Sequence, residues 1–247
     1  MDSWVMFTRC MRTSLRNPDA IGAAIIVPAF LMWMFGAVFG NIIDVGDFNY
    51  VNFIVPGVIM QSLAQGSSAV AITVNNDMRK GIIDRFRSMP IAKSAVLVGH
   101  VFASVVRNSI TTAIIIGVAL LIGFRPEAGF IDWLIIAALL LLVINAITWL
   151  FVIAGLVAKS PEAAGTMLFP IFLLPFLSSG FAPTETMAPA LRLFAEYQPM
   201  TPIIDALRAL MLGLPLENSL LIAVLWSVGI TVAAFILAVQ LYSRKFK

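Results

Sequence analysis

Residues 133–157 read WLIIAALLLLVINAITWLFVIAGLV, a stretch that contains no acidic or basic side chain. The hydrocarbon core of a bilayer is about 30 Å thick, and a helix of about 20 predominantly apolar residues crosses it. A segment of this length and composition therefore predicts a membrane-spanning helix, and the same pattern recurs elsewhere in the chain.

The composition of the whole chain supports this interpretation. Of its 247 residues, 60% are hydrophobic and 12% are charged, and the mean hydropathy is +0.98. A soluble domain of this size could not cover so much apolar surface with polar side chains. We therefore predict an all-α integral membrane protein that forms one domain over residues 1–247.

Six segments are long and apolar enough to cross a membrane as helices. None of them shows the alternating pattern of a membrane β-strand. Prolines inside the first, second and fifth segments predict bends or freed carbonyl groups. The predicted spans are Ile21–Phe39, Val51–Val74, Val101–Gly123, Trp133–Val157, Ala163–Phe181 and Leu220–Tyr242.

The distribution of charge predicts the orientation. Six spans place both termini on one side, and that side carries twelve of the sixteen Lys and Arg residues. The opposite side carries three, and Arg107 lies inside the third span, where its long side chain can reach the nearer surface. Because basic residues concentrate in cytoplasmic loops, both termini are predicted to be cytoplasmic.

The N-terminal segment 2–16 predicts an amphipathic helix that lies in the membrane surface. At about 100° per residue, its apolar side chains form one stripe and its arginines another face. The arginines then meet anionic lipid or a protein; a plain membrane anchor without a protein partner is the alternative. The two faces contain Trp4, Phe7, Met11 and Leu15 and, opposite them, Arg9, Arg12 and Arg16.

Residues 77–93, DMRKGIIDRFRSMPIAK, predict a short amphipathic helix in a cytoplasmic loop. One side of this helix is apolar at helical spacing and the other is charged. Pro90 ends the helix, and the chain from Ile91 leads into the third span. The apolar stripe consists of Met78, Ile82, Phe86 and Met89, and the charged side of Lys80, Asp84 and Arg87.

The segment 182–218 on the outer side predicts a helical hairpin before the last span. Met187–Tyr197 forms its first helix. Thr201 followed by Pro202 supplies an N-cap and a first-turn proline for the second helix, and Gly213 supplies its C-cap. Both helices are too apolar for open water, so we expect them to enter the outer leaflet or to pack on the ends of the spans.

Several kinds of chemistry are excluded by residues that the sequence lacks. None of the five lysines follows a glycine, so the chain has no phosphate-binding P-loop. One histidine, His100, and one cysteine, Cys10, are too few for a metal site or a disulfide, and no nucleophile set can be assembled. The spans contain no Asp or Glu in their cores, which argues against a proton- or sodium-driven carrier. The chain is predicted not to be an enzyme.

Polar side chains inside the spans allow two interpretations. They can join helices by hydrogen bonds that contribute about 0.6 kcal/mol each. Alternatively, Gln61, Gln65 and Asn145 line a path for an amphipathic solute.

Taken together, the motifs along the chain are similar to those of one protein family. The sequence is similar to the membrane subunit of type-2 ABC transporters, and most similar to the drug-resistance exporter permeases of bacteria. The resemblance covers essentially the whole chain, and its most specific parts are the 77–101 loop and the 181–213 segment. The motifs are RNP at 16–18, NFIVPGVI at 52–59, DMRKGIIDRFRSMPIAKSAVLVGHV at 77–101, GFRP at 123–126 and FAPTETMAPALRLFAEYQPMTPIIDALRALMLG at 181–213.

The resemblance implies a permease in the cytoplasmic (inner) membrane of a bacterium. It pairs with a second copy or a related permease, binds two ABC ATPase subunits and contacts membrane lipid but no nucleic acid. ATP and Mg²⁺ bind the ATPase, and this chain holds no cofactor. The loop then docks on the ATPase, through Asp77, Met78, Arg79, Lys80, Gly81, Ile82, Asp84, Arg85, Phe86, Arg87, Met89 and Pro90.

The predicted function is ATP-driven export of a lipophilic or amphipathic compound such as a drug, antibiotic or lipid-like molecule. The predicted path combines Gln61, Gln65 and Asn145 with Phe172, Phe176 and Phe181, and the favoured alternative is that these phenylalanines only pack against neighbouring helices. The alternatives are export of a lipid-linked glycan or polysaccharide, an ATP-independent carrier, and a scaffold or sensor that transports nothing. For the loop, a basic anchor on anionic lipid is the alternative.

Overall fold

A computed structural model describes residues 18–40, 42, 49–79 and 95–244 of the chain. All regular structure in these residues is helical, which confirms the all-α prediction. A short 3-10 helix covers Thr184–Thr186. The α-helices are α1 (Pro18–Phe39), α2 (Tyr50–Arg79), α3 (Ala95–Ile122), α4 (Phe130–Val157), α5 (Pro161–Thr166), α6 (Phe169–Leu173), α7 (Pro189–Tyr197), α8 (Met200–Leu212) and α9 (Ser219–Arg244).

Four of the described helices, α2, α3, α4 and α9, are long and apolar enough to cross a membrane. They correspond to the second, third, fourth and sixth predicted spans. Helix α1 contains a shorter apolar stretch, Ile26–Phe39. The total of six spans therefore stays a prediction, while a multi-pass membrane protein is supported.

The fifth predicted span, Ala163–Phe181, is not one continuous helix, whereas the sequence predicted a single helix with bends at its prolines. The chain forms α5 and α6 and then a run of turns through residues 174–182, which we call the turn segment. Pro170 lies in the first turn of α6, where no N–H donor is needed. Pro175 has no N–H to continue the helix, and α6 ends at Leu173.

Helix α2 lies at the centre of the bundle and α9 at its edge. Helix α2 contacts α1, α3, α4, α5, α6 and α8. Within the most apolar part of each helix, 67% of α2 is buried but only 17% of α9. Apolar side chains on α9, such as Leu225 and Trp226, are exposed on the bundle surface, as expected for a helix that faces lipid.

Two glycines let neighbouring segments approach α2 closely. A Cβ atom on Gly57 would lie 2.5 Å from the carbonyl oxygen of Gly180, and one on Gly155 would lie 2.6 Å from that of Ala71. Any larger residue would therefore separate α2 from the turn segment or from α4. Small residues at helix contacts serve the same purpose in membrane proteins generally.

Two helices precede the last helix in the region where the sequence predicted a hairpin, with one difference at the start of the second. Helices α7 and α8 match the predicted pair, and Gly213 ends α8 in the left-handed conformation at φ 65°. Helix α8 begins at Met200, however, and the Thr201 hydroxyl donates to the carbonyl of Ala195 in α7 instead of capping α8. Every residue of α8 except Asp205 is buried, so α8 packs on the ends of the long helices.

Candidate functional site

The two ends of the bundle carry the functional candidates. We call the end that contains Asp77, His100 and the 158–160 turn the Asp77 end. The opposite end, which contains Tyr50 and α8, is the Tyr50 end.

At the Tyr50 end, side chains from other elements hold the backbone of the turn segment. The Gln198 amide donates to the carbonyls of Leu174 and Leu177, at 3.1 Å each. The Tyr50 hydroxyl donates to the Phe181 carbonyl at 2.7 Å. Arg208 donates to the Ser179 carbonyl. These bonds replace the helical hydrogen bonds that the turn segment lacks, as buried carbonyl groups require.

Arg208 has the most extensive set of contacts in this group. Its guanidinium lies 2.7 Å from Asp205 Oδ1 and donates to the Phe53 carbonyl at 3.2 Å. It also stacks on the Phe53 ring, with 3.9 Å between Cζ and the ring centroid. Burial lowers the pKa of Arg208, and Asp205 opposes this shift. The arrangement joins α8 to α2 and to the turn segment.

The three phenylalanines of the predicted path fall into two groups. Phe176 and Phe181 stack with ring centroids 4.6 Å apart, and Phe181 also contacts Phe35 of α1 at 5.1 Å. Phe172 instead contacts Phe151 of α4 at 6.0 Å. Phe181 is buried and the other two are half-buried. Packing therefore accounts for Phe181, whereas Phe172 and Phe176 retain accessible surface.

Gln61 and Gln65 lie one turn apart on a half-buried face of α2. Neither side chain forms a hydrogen bond within the described part of the chain. Gln61 also lies one turn from Gly57, where α2 touches the turn segment. Asn145 is half-buried on α4, and no hydrogen bond to another described residue joins it to these glutamines. The structure thus places Gln61 and Gln65 side by side on α2 but does not join Asn145 to them.

A small apolar cavity occupies a different place. It has a volume of about 60 Å³ and lies between α4, α8, α9 and the region of α6. Its walls include Val143, Ile147, Ile171, Met200, Ile203 and Ile230. None of the predicted path residues lines this cavity.

The Asp77 end contains the first residues of the predicted loop. Asp77, Met78 and Arg79 are the last residues of α2, which continues beyond its predicted end at Val74. Asp77 is buried and its carboxylate lies 3.2 Å from Nε2 of His100. Met78 is half-buried and Arg79 is exposed. The loop prediction beyond Arg79 and the N-terminal helix lie outside the described residues: Lys80, Gly81, Ile82, Asp84, Arg85, Phe86, Arg87, Met89 and Pro90, and Trp4, Phe7, Arg9, Met11, Arg12 and Arg16.

The sequence predicted that the Arg107 side chain extends toward the nearer surface, but in the structure it contacts α2. Its guanidinium donates to the Gly66 carbonyl of α2 at 2.7 Å. No local pattern in the sequence predicted a role for Tyr50, Gln198 or Asn75. The spacing of Asp205 and Arg208, three residues apart in an otherwise apolar helix, was the one available signal for the Tyr50-end cluster.

The long apolar helices and the buried polar contacts between them define a multi-pass helical membrane protein. The family model for ABC-2 type transporters matches residues 2–212, and the chain belongs to this family. Its members are transmembrane subunits of ABC transporters, so the predicted class is confirmed.

Two relatives carry names that state a role. The chain is 29% identical to the daunorubicin resistance ABC transporter permease protein DrrB1 of Streptomyces coeruleorubidus, over 96% of this chain and 84% of the relative. It is 25% identical to the probable doxorubicin resistance ABC transporter permease protein DrrC of Mycobacterium tuberculosis, over 88% of this chain and 79% of the relative.

Proposed function

We propose that this chain is the permease subunit of an ATP-driven exporter of lipophilic or amphipathic drug-like compounds. The observation that carries the proposal is its membership of the ABC-2 type transporter family, together with two relatives named for resistance to daunorubicin and to doxorubicin. The drugs in the names of those relatives make a planar, amphipathic aromatic compound the first substrate to test.

The half-buried face of α2 is the proposed start of the substrate path. Gln61 and Gln65 present amide groups without hydrogen-bond partners in the described residues. Such groups in an apolar environment favour a ligand that offers donors and acceptors. Phe172 and Phe176 retain accessible ring surface for an aromatic solute. Asn145 and Phe181 belong to the same proposal, Phe181 as packing support for Phe176.

The proposed location is the cytoplasmic membrane of a bacterium, with both termini and the Asp77 end in the cytoplasm. The excess of Lys and Arg residues on the side of both termini supports this orientation. The Tyr50 end with the α7–α8 hairpin then faces outward, where the substrate is released.

The proposed partners are two ABC ATPase subunits, which bind ATP and Mg²⁺, and a second permease, identical or related. The ATPase docks on residues from Met78 to Pro90, whose apolar stripe would fill a groove and whose charges would set the register. The buried Asp77 stays on the permease side of this contact. The N-terminal helix with Arg9, Arg12 and Arg16 flanks the same surface in this proposal.

Purification of the tagged chain from its own host in a mild detergent tests the complex. The expected result is a P-loop ATPase in a one-to-one ratio with the permease. Inside-out vesicles that contain the complex should then take up doxorubicin only when ATP is added. A permease without ATPase, in a preparation where a known ABC complex survives, or uptake that depends on a proton gradient, contradicts the proposal.

A further inference from the structure

A buried pair of side chains joins the two helices on either side of the predicted coupling loop. Asp77 lies at the end of α2 and His100 near the start of α3, with 3.2 Å between Asp77 Oδ2 and His100 Nε2. Only 7% of the Asp77 side chain and 2% of the His100 side chain are exposed. The two ends of the 77–100 segment are therefore held together inside the protein.

Asn75 connects a third helix to the same place. Its side-chain amide donates to the carbonyls of Gly155 at 3.0 Å and Ala158 at 2.7 Å. These carbonyls belong to the last turn of α4 and to its C-cap residue, where the helix itself supplies no donor. Gly155 also lets α4 approach the backbone of α2 at Ala71. The end of α2 thus contacts the start of α3 through Asp77 and the end of α4 through Asn75, and we call Asn75, Asp77 and His100 the Asp77 node.

Polar contacts continue from the Asp77 node into the bundle along one face of α3. His100, Ser104 and Asn108 are each four residues apart and each is buried. Ser104 and Thr148 of α4 share a hydrogen bond at 3.2 Å. The Asn108 amide donates to Ser67 of α2 at 3.2 Å and to Ser104 at 3.1 Å. From Asp77 to Ser67 this series covers about 15 Å along α2, roughly half the thickness of a bilayer core.

These contacts determine how the three helices can move. Apolar helix surfaces in a bilayer can slide because many packings have similar energies, whereas buried hydrogen bonds are satisfied in only one register. A displacement of the end of α2 would therefore act on α3 through the Asp77–His100 contact and on α4 through the Asn75 hydrogen bonds. The three helices would then move together.

We propose that Asn75, Asp77 and His100 are positioning residues that transmit movement of the coupling loop to α2, α3 and α4 together. The proposal rests on the function proposed above, and it assigns these three residues a task distinct from contact with the ATPase. Loss of the Asp77 node should preserve ATP hydrolysis by the complex. It should lower the amount of solute transported for each ATP hydrolysed.

The test uses the complete permease–ATPase complex in liposomes, with doxorubicin as the probe. Doxorubicin transported per ATP hydrolysed is measured for the wild type, Asp77→Asn, His100→Gln and the exchanged pair Asp77→His with His100→Asp. We expect each single variant to hydrolyse ATP with the ATPase still bound, but its transport ratio should fall roughly fivefold or more, within the usual range of coupling effects. The exchanged pair should recover most of the ratio, which a merely disruptive double change would not do.

Asn75→Ala provides an independent test because it leaves the Asp77–His100 pair intact. We expect the same fall in the transport ratio. The matched control is Glu162→Gln, a carboxylate in the first turn of α5 at the same end of the bundle, which is fully exposed and should leave the ratio unchanged. Variants are compared at equal amounts of assembled complex, measured by size-exclusion chromatography.

The outcomes separate the two proposals. If the wild type does not transport doxorubicin in response to ATP, the proposed function fails and this inference fails with it. If the wild type transports and the Asp77, His100 and Asn75 variants keep its ratio, only the inference is overturned. An exchanged pair that transports no better than the single variants also overturns it.

Discussion

The guanidinium of Arg208 stacks on the ring of Phe53, with 3.9 Å between Cζ and the ring centroid. Residues 155 positions apart in the chain thereby join α8 to the first turns of α2. The same guanidinium holds Asp205 and the Ser179 carbonyl. One side chain therefore fixes the position of α8 against both α2 and the turn segment.

We expect Arg208→Ala to lower the free energy of unfolding by about 2–3 kcal/mol, since hydrogen bonds to charged groups contribute about 1.5–3 kcal/mol. Arg208→Lys should have an intermediate effect, because an ammonium group keeps the charge but not the planar fork. Thermal unfolding of the purified permease in detergent measures both. The control is Arg192→Ala, since Arg192 pairs with Glu196 on the surface and 46% of its side chain is exposed. Equal Tm values for Arg208→Ala and Arg192→Ala would contradict the prediction.

Tyr50→Phe should destabilise the permease by about 1–2 kcal/mol, because the buried Phe181 carbonyl loses its donor. Tyr197→Phe is the matched control, since Tyr197 is 76% exposed and its loss of a hydroxyl group should not change the Tm. The comparison is made by thermal unfolding in the same detergent. An unchanged Tm for Tyr50→Phe would show that water or another donor satisfies the carbonyl.

Gly57→Ala should reduce the stability of the bundle by roughly 1–3 kcal/mol, the usual cost of overpacking. The added methyl group would lie 2.5 Å from the Gly180 carbonyl oxygen, and that neighbour is backbone. Gly117→Ala is the control, because a Cβ atom there meets no other atom within 4 Å. Alanine at a helix interior position is favoured over glycine by about 0.5–1 kcal/mol, so Gly117→Ala should be neutral or stabilising. The yield of folded protein and its Tm distinguish the two variants.

Gln61→Leu and Gln65→Leu should each reduce ATP-dependent doxorubicin uptake about fivefold, the effect of one lost hydrogen bond of about 1 kcal/mol. Their Tm values should stay at the wild-type level, because neither amide bonds to another described residue. Thr73→Val serves as the control, since the Thr73 hydroxyl bonds within its own helix to Ala69. Unchanged uptake in both glutamine variants would remove them from the proposed path.

Ile82→Asp or Phe86→Ala should detach the ATPase, because truncation of an apolar anchor at an interface commonly costs about 2 kcal/mol or more. The permease itself should remain monodisperse in detergent. Phe130→Ala is the control, as this phenylalanine is 79% exposed at the Tyr50 end of the bundle. The ATPase that co-purifies with each variant is quantified on a gel. Normal amounts in both loop variants would assign the loop to another role, such as binding anionic lipid.

Several elements could be predicted from sequence because each leaves a local signal. The run without charge at 133–157 predicted α4, which covers Phe130–Val157. Gly213 predicted the end of α8, since the left-handed conformation there favours glycine. The family resemblance followed from motifs of the same local kind, and it identified the class that the ABC-2 match confirms.

Residues far away in the chain determine whether the fifth predicted span forms a continuous helix. Its composition favours a helix, and its prolines alone predicted only a bend. Turns replace the helix because Gln198, Arg208 and Tyr50 supply donors to the carbonyls that a helix would otherwise satisfy. Tyr50 lies 131 positions from its partner, so no local pattern could predict that contact.

A helical membrane protein could be recognised from the sequence alone, because apolar length and charge distribution are properties of single segments. The motifs added the resemblance to the ABC-2 type family. Which faces of the helices meet is a property of the packed bundle. Protein-facing and lipid-facing residues are similarly apolar, so hydropathy along a span carries little information about its neighbours. The Asp77 node and the contacts of Arg208 therefore became visible only when α2, α3, α4 and α8 were packed together, since a buried polar group must find its partner on another helix.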